Sequence, residues 1–186
     1  MRTPEHPIDS QFTDRWSPRG FDSTYTLSSE ELHSLLEAAR WAPSSSNEQP
    51  WKFYVAKDAE SRARFNAFVN DTNRTWASHA SQIIVVTARK NFAASGKPNI
   101  HAWYDTGAAV MALVLEAQHR GLVARQMGGI LRDVIERELS IDTGEEDIIC
   151  CVALGKRGGT DHLLEKHREL EKPNSRKPQS DFVFAV

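Results

Sequence analysis

The chain has 186 residues, of which 40% are hydrophobic and 26% charged, with a formal net charge of −2. That is the profile of one globular domain with a real core, and so even a charge balance excludes a broad electrostatic footprint for nucleic acid. No apolar run approaches the roughly 20 residues of a membrane span, and the opening MRTPEHPIDSQF lacks the apolar middle of a signal peptide, so a cytoplasmic protein is expected.

Residues 1–13 are expected to be a flexible arm on a single domain covering 1–186. RWSPRGFD (15–22) follows, with Arg15, Ser17 and Arg19 in alternation. On an extended segment these three side chains share one direction, and two guanidiniums with a hydroxyl suit an oxyanion. SSEELHSLLEAARWAP then carries a capping box, Ser28 with Glu31. Leu32, Leu35, Leu36 and Ala39 give one buried helical face, which Pro43 ends.

WKFYVA (51–56) and SQIIVVTA (81–88) read as strands. The stretch between them reads as helix broken near Asn70 to Asn73. HAWYDTGAAVMALVLEAQHRGL (101–122) is the longest helix, with Gly121 at the position of a C-terminal cap. It is apolar around much of its circumference, so it needs cover on several sides, and a second subunit could supply it. ILRDVIEREL (130–139) reads as an amphipathic helix, DIICCVALG (147–155) as a buried strand, and SDFVFAV as an edge-like tail. Together these give an α+β or mixed α/β domain. Cys150 and Cys151 are the only cysteines. Neighbours on a strand face opposite ways, so they read as small buried hydrophobes rather than a disulfide or metal pair.

Four polar constellations could carry chemistry. RWSPRGFD is the first. PSSSNEQPW (43–51) offers hydroxyls and an amide over four consecutive positions, more than a turn requires. RQMGGI (125–130) allows close backbone approach to a flat ligand at Gly128 and Gly129. NSRKPQSDF (174–182) brings Arg176 and Lys177 near the end. Several familiar signatures are missing: no Walker sequence, no GxGxxG between strand and helix, no HExxH and no GxSxG. No metal is assigned, and no acid–base catalyst is identified.

In this order the segments resemble the FMN-dependent nitroreductase family, from about Arg15 to Phe182. RWSPRGFD is similar to its opening Arg-x-Ser-x-Arg-x-Phe, and LLEAARWAPSSSNEQPWKF to its helix followed by Pro-Ser-x-x-Asn-x-Gln-Pro-Trp. DTGAAVMALVLEAQHRGL resembles its central helix, QMGGI its Met-Gly-Gly-Phe turn, and VALGK its last core strand. The resemblance implies an α+β fold with a central, mostly antiparallel mixed sheet flanked by helices, in an interlocked homodimer. Non-covalent FMN would lie in two sites at the subunit interface, with NADH or NADPH as electron donor.

Carried onto this chain, Arg15, Ser17 and Arg19 would hold the phosphate and ribityl chain, with Trp16 contributing backbone and Arg176 a further phosphate contact. The family often has a second basic residue two positions earlier, where this chain has Asn174. Pro43, Ser44, Ser45 and Asn47 of the other subunit would line ring and ribityl. Asn73 would face the pyrimidine edge, and Met127, Gly128 and Gly129 would set backbone N–H groups near flavin N5. Phe92, His101, Trp103 and Tyr104 are candidates for the substrate pocket. The implied activity is ping-pong reduction of nitroaromatic or quinone-type acceptors. Reductive dehalogenation or flavin turnover on the same fold, and a non-enzymatic flavin carrier or sensor, are the alternatives.

Overall fold

In a computed structural model, which describes residues 2–186, the chain forms three layers, with helices on both faces of one sheet. The helices are α1 (Ser10–Asp14), α2 (Ser29–Arg40), α3 (Ala59–Phe65), α4 (Asp71–Ala77), α5 (Ala102–His119), α6 (Arg132–Leu139) and α7 (Glu165–Glu169). The strands are β1 (Trp51–Val55), β2 (Gln82–Arg89), β3 (Val123–Met127) and β4 (Glu146–Gly155), in the order β1-β2-β4-β3. Every pairing is antiparallel, so the sheet carries no parallel member among the described residues.

Strand alternation feeds two separate cores. Ile83, Val85, Cys151 and Ala153 face Phe21, Phe65, Phe68, Trp76 and Ile135. Ile84, Val86, Cys150, Val152 and Leu154 face Leu35 and Ala39 of α2 and Val110, Leu113 and Val114 of α5. The two cysteines thus lie on opposite faces, both buried. Burial raises the Cys150 thiol to about 11 and Cys151 further still. A bulge in the β2–β4 ladder, where Val86 pairs with Cys150 but Thr87 with Ile148, switches the alternation. Ile148 therefore joins the Trp76 side although it is two residues from Cys150.

The local signals act as the sequence indicates. Ser28 and Glu31 cap α2 reciprocally, each side chain bonded to the other's backbone N–H. α5 ends in a Schellman arrangement: Gly121 takes φ +68° while Leu122 N–H donates to the Ala117 carbonyl and Gly121 N–H to that of Gln118. Helix between β1 and β2 breaks at Val69 and Asn70, where the Asn70 side chain caps α4.

Three elements differ from expectation. β3 is not legible in the sequence, where RQMGGI reads only as a turn, because Arg125 and Gln126 spoil its apolar alternation. Of the segment expected as a flexible arm, the described residues 2–13 include most of α1, whose N-cap Asp9 accepts from Gln11 N–H. The tail after residue 181 forms no strand: a 3-10 turn at Gln179–Asp181 precedes exposed Phe182 and Phe184. Alternation alone makes no strand, and among the described residues neither edge strand, β1 or β3, pairs with it.

Candidate functional site

Residues 15–20 run extended from α1 to Phe21, which bridges to Arg157. Arg15 Nη1 donates to Ser17 Oγ at 3.3 Å. The segment is held from below by two side chains absent from the expected set. The Glu171 carboxylate accepts from the Arg19 N–H at 2.8 and 3.0 Å and from Gly20 N–H at 2.8 Å. Arg125, on β3, donates through Nη1 to the Ser17 carbonyl and stacks 5.1 Å over the Trp76 ring. Arg157 lies 4.9 Å over Trp16.

Charge at this corner is strongly one-sided. Burial, then the nearby charges of Arg176 and Arg2, hold the Arg15 guanidinium below its ordinary value. Burial and then the Arg19 charge bring Arg125 down to about 10, against the opposing pull of Glu171. After burial, Arg15 feels the charges of Arg176 and Arg2, while Arg125 and buried His167 feel that of Arg19. The two arginines expected on one face divide their influence between adjoining parts of the corner. Among the described residues none of Arg2, Arg15, Arg19, Arg125 or Arg176 has a salt bridge.

The second constellation, residues 43–49, is a strained loop. Ser46, Asn47 and Gln49 take φ of +53°, +56° and +52°, a region that costs a non-glycine residue about 1 kcal/mol or more. Hydrogen bonds enforce it. Ser45 N–H donates to buried Asp105 of α5 at 3.0 Å, and Ser44 Oγ accepts from Gln49 N–H at 3.0 Å. Glu48 accepts from Arg89 at 3.0 Å and from Ala93 N–H at 2.9 Å, which sets the loop beside the Phe92 turn. Pro43 and Asn47 are exposed, Ser44 and Ser45 half-buried.

The third constellation closes where β3 ends. Asn73 Nδ2 donates to the Gly129 carbonyl at 3.0 Å, and Asn70 N–H to the same oxygen at 3.0 Å. A Cβ at Gly129 would meet the Asn70 and Asn73 side-chain amides at 2.6 and 2.7 Å, so any larger residue must displace them; at Gly128 it would meet nothing within 4 Å. Neither glycine N–H donates a hydrogen bond among the described residues. The Met127 side chain is core, leaving only its backbone for a ligand. Arg125 and Gly128 stand three residues apart, about 10 Å along an extended strand, so β3 ties the arginine corner to this turn.

The substrate candidates flank the start of α5. Tyr104 is 81% and Trp103 52% exposed, and Trp103 Nε1 donates to Asp147 at 2.6 Å. His101 is also exposed and Phe92 half-buried. In one protomer the loop 43–49 with these aromatics forms one cluster, and the arginine corner with the Gly-Gly turn another. Among the described residues no hydrogen bond joins them.

Sequence reasoning missed Arg2, Arg125 and Glu171. Arg125 stood inside the quoted RQMGGI stretch, but its burial under Ser17 depends on β3, which the sequence hid. Also among the described residues, no group of three or more histidine, cysteine or acidic side chains could hold a metal, and no helix is long and apolar enough to cross a membrane.

A sequence model of the Nitroreductase family matches residues 12–75 and 69–156. The chain is 38% identical over 79 residues to an oxygen-insensitive NADPH nitroreductase of Helicobacter acinonychis, covering 41% of this chain and 36% of that protein. It is 39% identical over 66 residues to the major NAD(P)H-flavin oxidoreductase of Aliivibrio fischeri, covering 35% and 30%. The match thus spans about a third of the length of these curated relatives. A crystal structure of an oxidoreductase containing FMN superposes with a TM-score of 0.92 at 37% identity, covering 98% of this chain and 93% of that one.

Proposed function

This chain belongs to the nitroreductase family, and from that premise we propose that it is an FMN-dependent oxidoreductase that acts as a homodimer, reducing nitroaromatic or quinone-type acceptors with electrons from NADH or NADPH. The observation that carries this is the arginine corner, cationic and without a carboxylate salt-bridge partner, tied by β3 to a turn with two open N–H groups. A phosphomonoester carries about −1.5 to −2 charge at neutral pH, so it supplies counter-charge beyond the single carboxylate, Glu171, that backs the corner. A similar chain that contains FMN supports the choice of ligand.

Arg15, Ser17, Arg19 and Arg176 bind the phosphate and the ribityl chain in this reading, and the Trp16 backbone borders them. Arg125 orients Ser17 from beneath. Gly128 and Gly129 would offer their N–H groups to the ring near N5, and Asn73, fixed on the Gly129 carbonyl, would face its pyrimidine edge. When bound, FMN would supply two-electron chemistry, linking a nicotinamide donor to the acceptor in a ping-pong cycle. The residues therefore need to bind, orient and shield rather than move protons.

Two features support the homodimer. α5 leaves Met111, Ala112 and Leu115 partly exposed on one side, an apolar stripe that a second copy would cover. The strained loop 43–47 lies in a different cluster from the arginines, so a second copy is the means by which Pro43, Ser44, Ser45 and Asn47 reach the ring. Phe92, His101, Trp103 and Tyr104 then border the face open to nicotinamide and acceptor.

The test is an absorbance spectrum of purified protein, followed by anaerobic NADPH and then NADH. Flavin bands that bleach and return with a nitroaromatic or quinone are expected. Bands that neither donor bleaches would favour a carrier, or other chemistry on this fold. A colourless protein that takes up no FMN would overturn the proposal.

A further inference from the structure

We propose that Arg2, from the very start of the chain, is a phosphate-binding residue of this site, clamped beside Arg15 and Arg176 by backbone carbonyls from both ends of the chain. This rests on the reading of the corner as an FMN site. A guanidinium has five N–H donors. The Arg2 Nε donates to the Asn174 carbonyl at 2.8 Å, and Nη1 donates to the carbonyls of Thr13 and Arg15 at 2.7 Å each. The two N–H groups of Nη2 have no partner among the described residues, which leaves them for a ligand.

The clamp sets the guanidinium before any ligand arrives, so little freedom is lost on binding. Arg176 reaches the same strip of chain, donating through Nη1 to the Ser175 carbonyl at 2.9 Å. Burial and the Arg176 charge lower the Arg2 guanidinium's affinity for its proton, and the Asp14 charge opposes them. Packing three like charges together is unfavourable unless an anion sits between them. Asn174 has no cationic side chain, but its carbonyl holds one in place. Glu5, which accepts from Gln179 N–H at 3.0 Å, ties the same two segments a second time. Bound phosphate would thus link the first residues to the C-terminal tail.

The test uses the untagged full chain, stripped of flavin, with Kd measured by fluorescence for FMN and for riboflavin, which lacks the phosphate. Arg2→Ala is expected to weaken FMN roughly ten- to a hundredfold, the worth of a charged hydrogen bond, and to leave riboflavin unchanged. Arg176→Ala is expected to show the same selectivity, and Arg2→Lys, which keeps the charge but loses the clamp, to fall between. FMN affinity within twofold of wild type in Arg2→Ala would overturn the proposal, as would an equal loss for riboflavin. If wild type binds FMN, only the Arg2 role fails in those cases. Wild type that binds no FMN would overturn the functional reading with it.

Discussion

Two charged hubs in this molecule are built in opposite ways. At the β2–β4 end of the sheet one buried carboxylate, Glu146, accepts from Lys52 Nζ, from Tyr54 Oη at 3.0 Å and from Thr87 Oγ1 at 2.7 Å. At the other hub, Arg2, Arg15 and Arg176 gather with no carboxylate in salt-bridge range among the described residues. The first hub is complete within the protein and serves the fold. The second is balanced only when something anionic joins it, and that difference marks a binding site.

The comparison breaks most visibly at Glu146. Glu146→Ala is expected to cost about 3 kcal/mol of stability in urea denaturation, since it orphans two hydroxyls and leaves a cavity. The relative affinity for FMN and riboflavin should stay unchanged. A cost below about 1 kcal/mol would mean the hub is not structural. A pH series follows from the same carboxylate. Burial raises its pKa, but Lys52, Thr87 and Tyr54 together outweigh burial and hold it below the ordinary 4.5. A carboxyl depressed in the folded state stabilises the fold above its unfolded value and loses that contribution as pH falls through the folded one. Wild-type stability should therefore fall below about pH 4.5, and Glu146→Gln should remove that part of the slope.

At the arginine hub the expected effects move from stability to binding. Arg15→Ala and Arg176→Ala should each weaken FMN by about 1.5–3 kcal/mol. Arg19→Ala should act in the same direction. None should destabilise the ligand-free protein, and Arg15→Ala should slightly stabilise it by relieving like-charge repulsion; denaturation without flavin reads this sign directly. A smaller effect belongs to the turn after β3. Gly129→Ala must displace the Asn70 and Asn73 amides and should cost about 1 kcal/mol in stability. Gly128→Ala, with open space around its Cβ, should stay within about 0.5 kcal/mol. Equal costs at the two glycines would contradict the close approach at Gly129.

Much of the fold was legible because local chemistry and tertiary structure agree. The Ser28–Glu31 box, the Leu35–Ala39 face, Gly121 at the end of α5 and the apolar runs of β2 and β4 all act as their sequence implies. β3 escaped because its middle is Arg125 and Gln126, whose roles are set by Ser17 and by the open side of the strand rather than by alternation. The tail misled for the converse reason, since it alternates yet pairs with neither edge strand, β1 or β3, in the protomer. The arginine corner was half legible. Arg15, Ser17 and Arg19 stand in one octet, but Arg2, Arg125 and Glu171 join them only through contacts that span up to 172 positions in sequence.

The central claim, that the arginine corner is a phosphate cradle, is tested most directly by thermal melting of flavin-free wild type with FMN or riboflavin at equal concentration. A ligand at a hundred times its Kd adds about 2.7 kcal/mol of stability. FMN should raise the melting temperature by several degrees more than riboflavin, and the gap should shrink as salt rises. Equal shifts for the two flavins would contradict the cradle.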